Sequence, residues 1–518
     1  MDYEQISGNQ ISPDRDMRFG NFAASMGSVI FAIILVYGLF SSLPWDGPWA
    51  GPFGQIKIDL LLFWGGLFLF ILVKPEQLLG WLRRLAERTS LKRLLILALI
   101  LRLGWVIFGR VEQVSDFKNF HNMAIDILHG KYIIYHHYPT GSAIFFALHY
   151  LIFGINEFVP TISLAILSTL QIWLVYSLVF NITFDKTIAI VSSMLLVVWP
   201  DHILFTNLLG SDVLFSVIVF FGMWLLLKSR NKDKWKISAG LLLCSGLTFG
   251  AAYWVRPTAP LFILAALCFL VIDNNVLLKR FLYPACFLAG VIFLVIPMMF
   301  CNKATLGIAS PFPSQIRGWS MLVGTNIVSH GRWTQADEDL VEREAASRVP
   351  GPNENQAVFR DRVAKELALK RLKEDPIGFI KMVMKYKFAA LWGRGEELGW
   401  SIPDTSPFYP LYWPVTFIER LYHMLIVLLA SAAIFRRCHP IVTKWNVVTV
   451  FIYSAILTTG SHIFLETKPR YNHMFLPLLA ICAASLIASI SSAAAPKNSV
   501  QTMTEMNHRT KNRTSLKK

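Results

Sequence analysis

Asp116, Lys118 and His121 form a group of ionisable side chains just beyond an apolar run. The run is LLILALILRLGWVIFG, and the group lies in the segment VSDFKNFHN that follows. A carboxylate there can act as a general base that takes a proton from an attacking hydroxyl or amine. Because ionisable groups are costly within hydrocarbon, we predict that this group lies at a membrane surface and marks a functional site. The alternative for Asp116 is a solvated loop acid.

Further charged residues stand at or within other apolar runs. Asp212 begins one run after WPDHILFTNLLGS, and its alternative role is the N-cap of a helix. Arg256, in YWVRPTAP, has a planar guanidinium that suits two phosphate oxygens, and Arg470 with Tyr471 heads the last run in KPRYNHMFLP. Simple anchoring at the membrane interface is the alternative for both arginines. Arg102 lies inside a run, where we expect it to pair with a buried acid.

Neither the histidines nor the cysteines have the spacing of a metal site. His121, His129, His136 and His137 lie in one segment without an H-x-x-x-H or Cys/His pattern, so we expect loop histidines without a metal. The six cysteines lie in or beside apolar runs without paired spacing, which predicts no disulfide framework. A divalent cation is compatible with the carboxylates, but no clear motif supports one.

The composition predicts an all-α polytopic membrane protein. Of 518 residues, 54% are hydrophobic and 16% are charged, and the mean hydropathy is +0.48. The net charge of +16 indicates basic cytoplasmic loops rather than nucleic acid binding. The apolar runs are long enough to cross a hydrocarbon core of roughly 30 Å. They predict about twelve transmembrane helices, at 22–42, 58–74, 93–109, 159–181, 188–205, 213–228, 236–254, 258–273, 281–300, 411–434, 447–464 and 472–490.

The basic residues orient these helices. They are concentrated in the connections 74–93 and 228–236, at Arg436 and Arg437, and in the C-terminal tail. All four places lie on one side if both termini are cytoplasmic, which puts the first loop, 110–158, outside. We therefore predict a multi-pass protein of the plasma or inner membrane with its active site on the outer face. The short apolar stretch 142–154 is predicted to be re-entrant or interfacial.

The chain divides into segments of different composition. We predict a cytoplasmic N-terminal segment (1–21), an added transmembrane hairpin (22–74), a catalytic transmembrane core (93–300), a mainly helical outer loop region (301–410), C-terminal transmembrane helices (411–490) and a basic cytoplasmic tail (491–518). Within the outer loop region, VEREAASR and DRVAKELALKRLKEDP predict amphipathic helices. KMVMKYKFAALWG predicts an interfacial helix with snorkelling lysines and a tryptophan anchor.

Four motifs, in order and on the predicted outer side, resemble those of the C-class integral membrane glycosyltransferases (GT-C). Within that class they resemble the group related to protein O-mannosyltransferases and lipid A aminoarabinose transferases. The motifs are SDFKNFHNMAIDILHG with YPTGSAIFFALHYLIFG, then WPDHILFTNLLGSDVLF, GLTFGAAYWVRPTAP and KPRYNHMFLP. The resemblance covers about residues 90–480 and leaves out 22–74. The chain departs from the group at Phe120 (usually Tyr), Thr140 (usually Pro) and Phe117, which replaces the second acid of an Asp-Glu pair. The last departure argues against a two-carboxylate metal site in the first loop.

The resemblance implies a GT-C-like core and an enzyme that moves one sugar from a polyprenyl-phosphate donor to a glycan, lipid or protein acceptor, with inversion. Asp116 would be the general base. No partner acid is needed, because a phosphate leaves readily once a cation holds its charge. Arg256, Arg470 and Lys118 would bind that phosphate, and Asp212 would orient the surroundings of Asp116 or bind a sugar hydroxyl. The predicted substrate-binding set also contains His121, Tyr138 and Tyr471.

Two other functions are alternatives. A polysaccharide polymerase or oligosaccharide ligase carries its arginine and histidine chemistry in a large outer loop. The predicted outer loop 301–410 is compatible with this alternative, in which Asp116 would be dispensable. A non-enzymatic lipid-linked-sugar transporter places polar residues near the bilayer midplane, often in repeated halves. Here the ionisable residues gather at the outer ends of helices, and the sequence shows no repeat. Membrane lipids are expected partners in every case, and nucleic acid is not.

Overall fold

The computed structural model describes residues 15–42, 75–131, 138–230, 235–273, 276–352, 354–393 and 398–493. These residues form helices and no β-strand, which confirms the predicted all-α class. The predicted helix 58–74, His136, His137 and most of the predicted tail lie outside the described residues.

The described chain up to Leu306 contains twelve α-helices. They are α1 (Arg15–Ser42), α2 (Pro75–Arg88), α3 (Leu91–Gly109), α4 (Ser115–Leu128), α5 (Gly141–Phe153), α6 (Phe158–Thr183), α7 (Lys186–Val197), α8 (Pro200–Leu204), α9 (Asp212–Arg230), α10 (Trp235–Val255), α11 (Ala259–Ile272) and α12 (Leu277–Leu306). The remaining α-helices in the described residues are α13 (Arg317–Gly324), α14 (Gln335–Ala346), α15 (Gln356–Glu374), α16 (Pro376–Met382), α17 (Leu398–Ser401), α18 (Tyr412–Phe435), α19 (Pro440–Thr443), α20 (Val447–His462) and α21 (Leu476–Ala493).

Among the described residues, seven helices are long and apolar enough to cross a membrane. They are α1, α6, α9, α10, α12, α18 and α21, the last two lengthened by short helical turns at their N-terminal ends. The bent pair α7–α8 would be an eighth span, and α5, α11 and α20 are apolar but shorter. The chain is therefore a multi-pass membrane protein, whereas the count of about twelve crossings stays a prediction.

The bend between α7 and α8 leaves helix-end carbonyls that Arg102 satisfies. Pro200 lacks the N–H that would continue α7, and the chain turns by 68°. The Arg102 guanidinium donates to the carbonyls of Leu196 and Val197 at 3.1 and 3.4 Å and to the Ser168 hydroxyl at 2.8 Å. A helix C-terminus favours a cation because its carbonyls are unpaired. The prediction that Arg102 pairs with a buried acid is therefore wrong: its charge meets carbonyl dipoles.

The same hydrogen-bond network continues from Arg102 through His202. Arginine only donates, so its contact with His202 Nδ1 at 2.6 Å makes that nitrogen the acceptor. His202 Nε2 then donates to Gln171 Oε1 at 3.0 Å, and Gln171 Nε2 donates to Ser216 Oγ at 2.5 Å. The network satisfies these buried side chains with one another and so fixes the short helix α8 against α3, α6 and α9.

Glycines allow α10 and α12 to approach until their backbones touch. A Cβ at Gly246 would overlap the carbonyl oxygen of Phe287, and one at Gly290 would overlap the carbonyl oxygen of Leu243. Small residues are usual where transmembrane helices pack this closely. The motif GLTFG therefore fixes the direction of α10, whose end carries Arg256.

The outer loop region is mainly helical, as predicted, and α13, α14 and α15 share a small apolar core that includes Leu322, Val341 and Phe359. The predicted amphipathic helices lie in α14 and α15. The prediction for 381–393 is wrong for two of its side chains. Lys387 and Trp392 are buried, and Trp392 Nε1 donates to the Thr459 hydroxyl at 2.9 Å. These two side chains therefore pack into the protein, whereas Lys381 and Lys385 are exposed, and the interfacial placement of the segment stays a prediction.

We expect Gly246→Ala to lower the melting temperature, because the added methyl group must displace the α12 backbone and overpacking costs roughly 1–3 kcal/mol. Gly240→Ala is the matched control: it lies in the same helix with open space around it. It should be neutral or stabilising, since alanine favours a helix over glycine. Thermal unfolding of both variants in detergent checks the difference, and equal melting temperatures would contradict the backbone contact.

Candidate active site

Asp116 lies in the first turn of α4, directly after a residue with an unusual backbone. Ser115 has a φ of 51°, in the left-handed region that serine rarely adopts. Such strain persists only where the surrounding structure holds it, and it is common at functional sites. An acid in the first turn is also favoured by the positive end of the helix dipole. The backbone at Ser115 and the start of α4 therefore fix the position from which the Asp116 side chain extends.

The Asp116 carboxylate has two partners from distant parts of the chain. The Tyr138 hydroxyl donates to Oδ1 at 2.8 Å, and Arg470 Nη2 forms an ion pair with Oδ2. Asn119 Nδ2 donates to the Tyr138 oxygen at 3.1 Å, which directs the hydroxyl proton towards Asp116. The Asp116 side chain is 20% exposed and that of Arg470 9%. The carboxylate is therefore held in place but still open to an incoming group.

The charge on Asp116 is set by its neighbours. Burial by itself raises its pKa, but the positive charges of Arg470 and Lys468 outweigh burial and hold the pKa well below its usual range. Burial, and then the Asp116 carboxylate, raise the pKa of Tyr138. At neutral pH the pair is therefore an ionised acceptor and a neutral hydroxyl donor.

Asp212 and Arg256 form a second and deeper ion pair. Arg256 Nη1 donates to Asp212 Oδ1 at 2.6 Å, and the two side chains are only 10% and 4% exposed. Asp212 is the first residue of α9, and this carboxylate oxygen is engaged by Arg256, which does not support the N-cap alternative. Gly141 brings the first loop to this pair, because a Cβ there would lie 2.6 Å from the Trp254 carbonyl.

Tyr471 lies between the two ion pairs. The guanidinium carbons of Arg256 and Arg470 lie 5.6 and 5.8 Å from the centre of its ring, where a cation is attracted to an aromatic face. Its hydroxyl donates to Glu466 Oε2 at 3.1 Å. We call Asp116, Arg470, Asp212, Arg256 and Tyr471 the paired cluster.

Lys118 and His121 do not belong to the paired cluster. Lys118 is exposed, and residues two apart on a helix do not share a face, so it points away from Asp116. His121 turns to other partners: its Nδ1 lies 2.8 Å from the Tyr150 hydroxyl and its Nε2 3.5 Å from Glu157 Oε1. The geometry therefore gives no support to a substrate-binding role for these two residues, which stays a prediction.

Asn119 and Glu466 are polar neighbours that sequence reasoning missed. Asn119 lies one helical turn after Asp116, so the helical period of the segment could have found it. Glu466 binds the Tyr471 hydroxyl, and Lys468 Nζ lies 3.2 Å from its Oε1. Over the described part of the chain, no three His, Cys, Asp or Glu side chains are arranged to hold a metal ion. The direct ion-pair partners of the two carboxylates in the paired cluster are arginines.

Two solved structures show how distant the structural likenesses are. The chain is similar to the Archaeoglobus fulgidus oligosaccharyltransferase in the apo form, at 13% identity and a TM-score of 0.48, over 80% of this chain and 52% of that one. It is also similar to ArnT from Cupriavidus metallidurans bound to undecaprenyl phosphate, at 11% identity and a TM-score of 0.36, over 77% and 78% of the two chains. The chain spans about half the length of the oligosaccharyltransferase. Likenesses this distant support no conclusion about the site.

The family comparison is more specific. No curated protein sequence matches the chain. Residues 137–300 match the family described as dolichyl-phosphate-mannose-protein mannosyltransferase. The matched segment contains Tyr138, Asp212 and Arg256 and ends well before Arg470. Through this segment the resemblance predicted from the motifs is confirmed: part of the chain is similar to a protein O-mannosyltransferase family, in the group of C-class membrane glycosyltransferases that the motifs indicated.

Proposed function

We propose that this glycosyltransferase moves a single sugar from a polyprenyl-phosphate donor to a hydroxyl or amine of a glycan, lipid or protein acceptor at the outer face of the membrane. The paired cluster carries the proposal, because it combines a partly exposed carboxylate with two arginines around one aromatic ring. The family description supports the donor class, since dolichyl phosphate is a polyprenyl-type phosphate.

In the proposed reaction the acceptor oxygen or nitrogen forms a bond to the anomeric carbon while the bond from that carbon to the donor phosphate oxygen breaks. The acceptor proton goes to Asp116, and the bonding electron pair leaves with the polyprenyl phosphate. Direct displacement inverts the anomeric carbon. Arg470 and Arg256 would stabilise the charge that grows on the leaving phosphate, and charge-assisted bonds to a guanidinium strengthen as that charge develops.

The ion pair between Arg470 and Asp116 gives donor binding a direct effect on the base. With Arg470 beside it, Asp116 has a depressed pKa and is a poor proton acceptor. A donor phosphate competes for the same guanidinium and would weaken its hold on the carboxylate. The pKa of Asp116 would then rise towards its usual range, while Tyr138 still fixes Oδ1. The base would thus become active once donor is bound.

We expect Asp116→Asn and Asp116→Ala to abolish transfer while expression and membrane insertion stay normal. Loss of a general base typically costs about 10²–10⁴-fold in rate. Asp126→Asn is the matched control, because it removes a carboxylate from the same helix outside the paired cluster and should keep activity. The measurement is turnover by purified enzyme, together with the mass of surface glycans or lipids in cells that carry each variant. Near-normal turnover by Asp116→Ala would rule out the base assignment.

We expect Arg256→Gln to lower both stability and turnover. It leaves the Asp212 carboxylate buried without its cation, which typically costs roughly 3–5 kcal/mol. The double variant Arg256→Gln with Asp212→Asn removes the stranded charge, so it should recover the melting temperature but not kcat. Arg256→Lys keeps the charge without the fork and should retain part of the activity. If Arg256→Gln shows the same donor-saturation kinetics as wild type, Arg256 does not bind the donor phosphate and its role is purely structural.

Orientation is tested by cysteine labelling in a cysteine-free background. Lys118 and Val328 are exposed in the structure and lie in segments predicted to be outside, so Lys118→Cys and Val328→Cys should react with an impermeant maleimide in intact cells or spheroplasts. Lys234→Cys, in a basic connection predicted to be cytoplasmic, should react only after permeabilisation. Labelling of position 234 in sealed cells would show that the predicted topology is inverted, and the proposed site would then have no access to an outer-leaflet donor.

A further inference from the structure

The ammonium of Lys387 is enclosed by backbone carbonyls of the turn that precedes Arg470. Its Nζ donates to the carbonyl oxygens of His462, Ile463 and Leu465 at 3.1, 2.8 and 2.9 Å. These carbonyls lie at the end of α20 and just beyond, where helical partners run out. An ammonium has three N–H donors, so each carbonyl receives one. The whole residue is only 3% exposed.

The rest of the Lys387 side chain occupies a place that the outer loop region leaves for it. Gly331 has a φ of 79°, and a Cβ there would lie 2.7 Å from Lys387 Cε. The Gly331 carbonyl also accepts the Thr467 N–H at 3.3 Å, so the loop that accommodates the lysine binds the same turn. The Phe379 ring covers Nζ at 5.9 Å. Lys387 therefore joins the outer loop region to the turn 462–467.

The turn 462–467 carries the contacts that orient Tyr471. The imidazole of His462 lies against the Tyr471 ring, with 5.1 Å between ring centres. His462 Nδ1 donates to the Glu466 carbonyl at 2.7 Å, and the Glu466 carboxylate accepts the Tyr471 hydroxyl. Arg470 directly precedes Tyr471 in the chain. A shift of the turn would therefore move both Tyr471 and Arg470 relative to Asp116.

We infer that Lys387 is a positioning residue for the candidate active site: it holds the turn 462–467 so that Tyr471 and Arg470 stay beside Asp116. The inference rests on the proposed function in so far as the positioned residues are those assigned to the donor phosphate. Lys387 acts through the turn, by matching three convergent carbonyls with three donors.

The charge state of Lys387 gives this role a pH dependence. Burial lowers its pKa to about 7, and the Glu466 carboxylate partly offsets that effect. As pH rises through this value, the neutral amine keeps two donors for three carbonyls and the turn loses one bond. The other ionisable groups that face or adjoin it are His462 in the turn, His330 beside the loop glycine and Lys385 on its own segment. Burial lowers the pKa of His330, so that ring is neutral in the same range.

The first test is hydrogen–deuterium exchange of the full-length chain in lipid nanodiscs. Lys387→Met should speed exchange of the peptide 462–471 by roughly tenfold or more, because three carbonyls lose the ammonium and only those of His462 and Leu465 keep another donor, the Thr467 hydroxyl. Lys385→Met is the matched control, as it removes an exposed lysine from the same segment and should leave this peptide unchanged. After correction for intrinsic exchange, protection in wild type should fall between pH 6 and pH 8.5. Lys387→Arg should keep its protection, because a guanidinium stays charged.

The second test is the affinity for undecaprenyl phosphate, used as the probe of the proposed donor site. Lys387→Met should bind it roughly tenfold more weakly than wild type, while Lys385→Met should bind it equally well. Unchanged exchange of 462–471 in Lys387→Met overturns the inference, and so does a loosened turn with unchanged affinity. If Lys387→Met does not fold, the pH series of wild type against Lys387→Arg decides the same question. A wild type that does not bind the probe contradicts the proposed donor site, and the exchange data then decide the role of Lys387 in the turn.

Discussion

The ion pair between Asp116 and Arg470 joins two segments that are 354 residues apart. A charge removed from water is costly unless its partner is held in place, so the pair needs rigid support on both sides. On one side, the strained backbone at Ser115 and the Tyr138 hydroxyl fix the carboxylate. On the other, the turn before Arg470 is held by the buried ammonium of Lys387.

The two ion pairs of the paired cluster differ in how far water can reach them. The Asp212 side chain is 4% exposed and that of Asp116 is 20%. The arginine side chains are equally buried, at 9% exposed for Arg470 and 10% for Arg256, so the difference lies in the carboxylates. Asp116 is therefore the more accessible carboxylate, which suits its proposed role as the base, whereas Asp212 is enclosed with Arg256. The Tyr471 ring contacts the guanidinium groups of both Arg256 and Arg470, so the positions of the two arginines depend on each other.

The outer loop region contributes to the site through the backbone it holds. Its helices α13, α14 and α15 pack around an apolar core of their own. Lys387 and Trp392 extend from this region and contact residues of the transmembrane part. Arg102 plays a comparable part in the transmembrane region, where it satisfies the carbonyls at the bend before α8. In both places a buried cation replaces hydrogen bonds that a broken or ended helix cannot make for itself. Irregular backbone next to the site is stabilised in this way.

The sequence by itself determined the properties that depend on local composition. The length and hydropathy of the apolar runs predicted an all-helical membrane protein, and the order of four motifs predicted the glycosyltransferase class that the match over 137–300 confirms. Asp116, Tyr138, Asp212, Arg256, Arg470 and Tyr471 were all found as candidates. The tertiary structure decided their pairing, because a carboxylate carries no local signal of which of several arginines will reach it.

The same reason explains the sequence predictions that were wrong, and the one for Lys118, which the geometry does not support and which stays a prediction. The segment 381–393 has the composition of an interfacial helix, but Phe31 and Thr459 pack against Trp392 from helices far away in the chain. The apolar sequence around Arg102 predicted a carboxylate as its partner. The bend at Pro200 instead leaves backbone carbonyls that accept its hydrogen bonds. Lys118 is close to Asp116 along the chain, but the turn of α4 points it away. Burial and pairing depend on long-range packing, which only the tertiary structure decided.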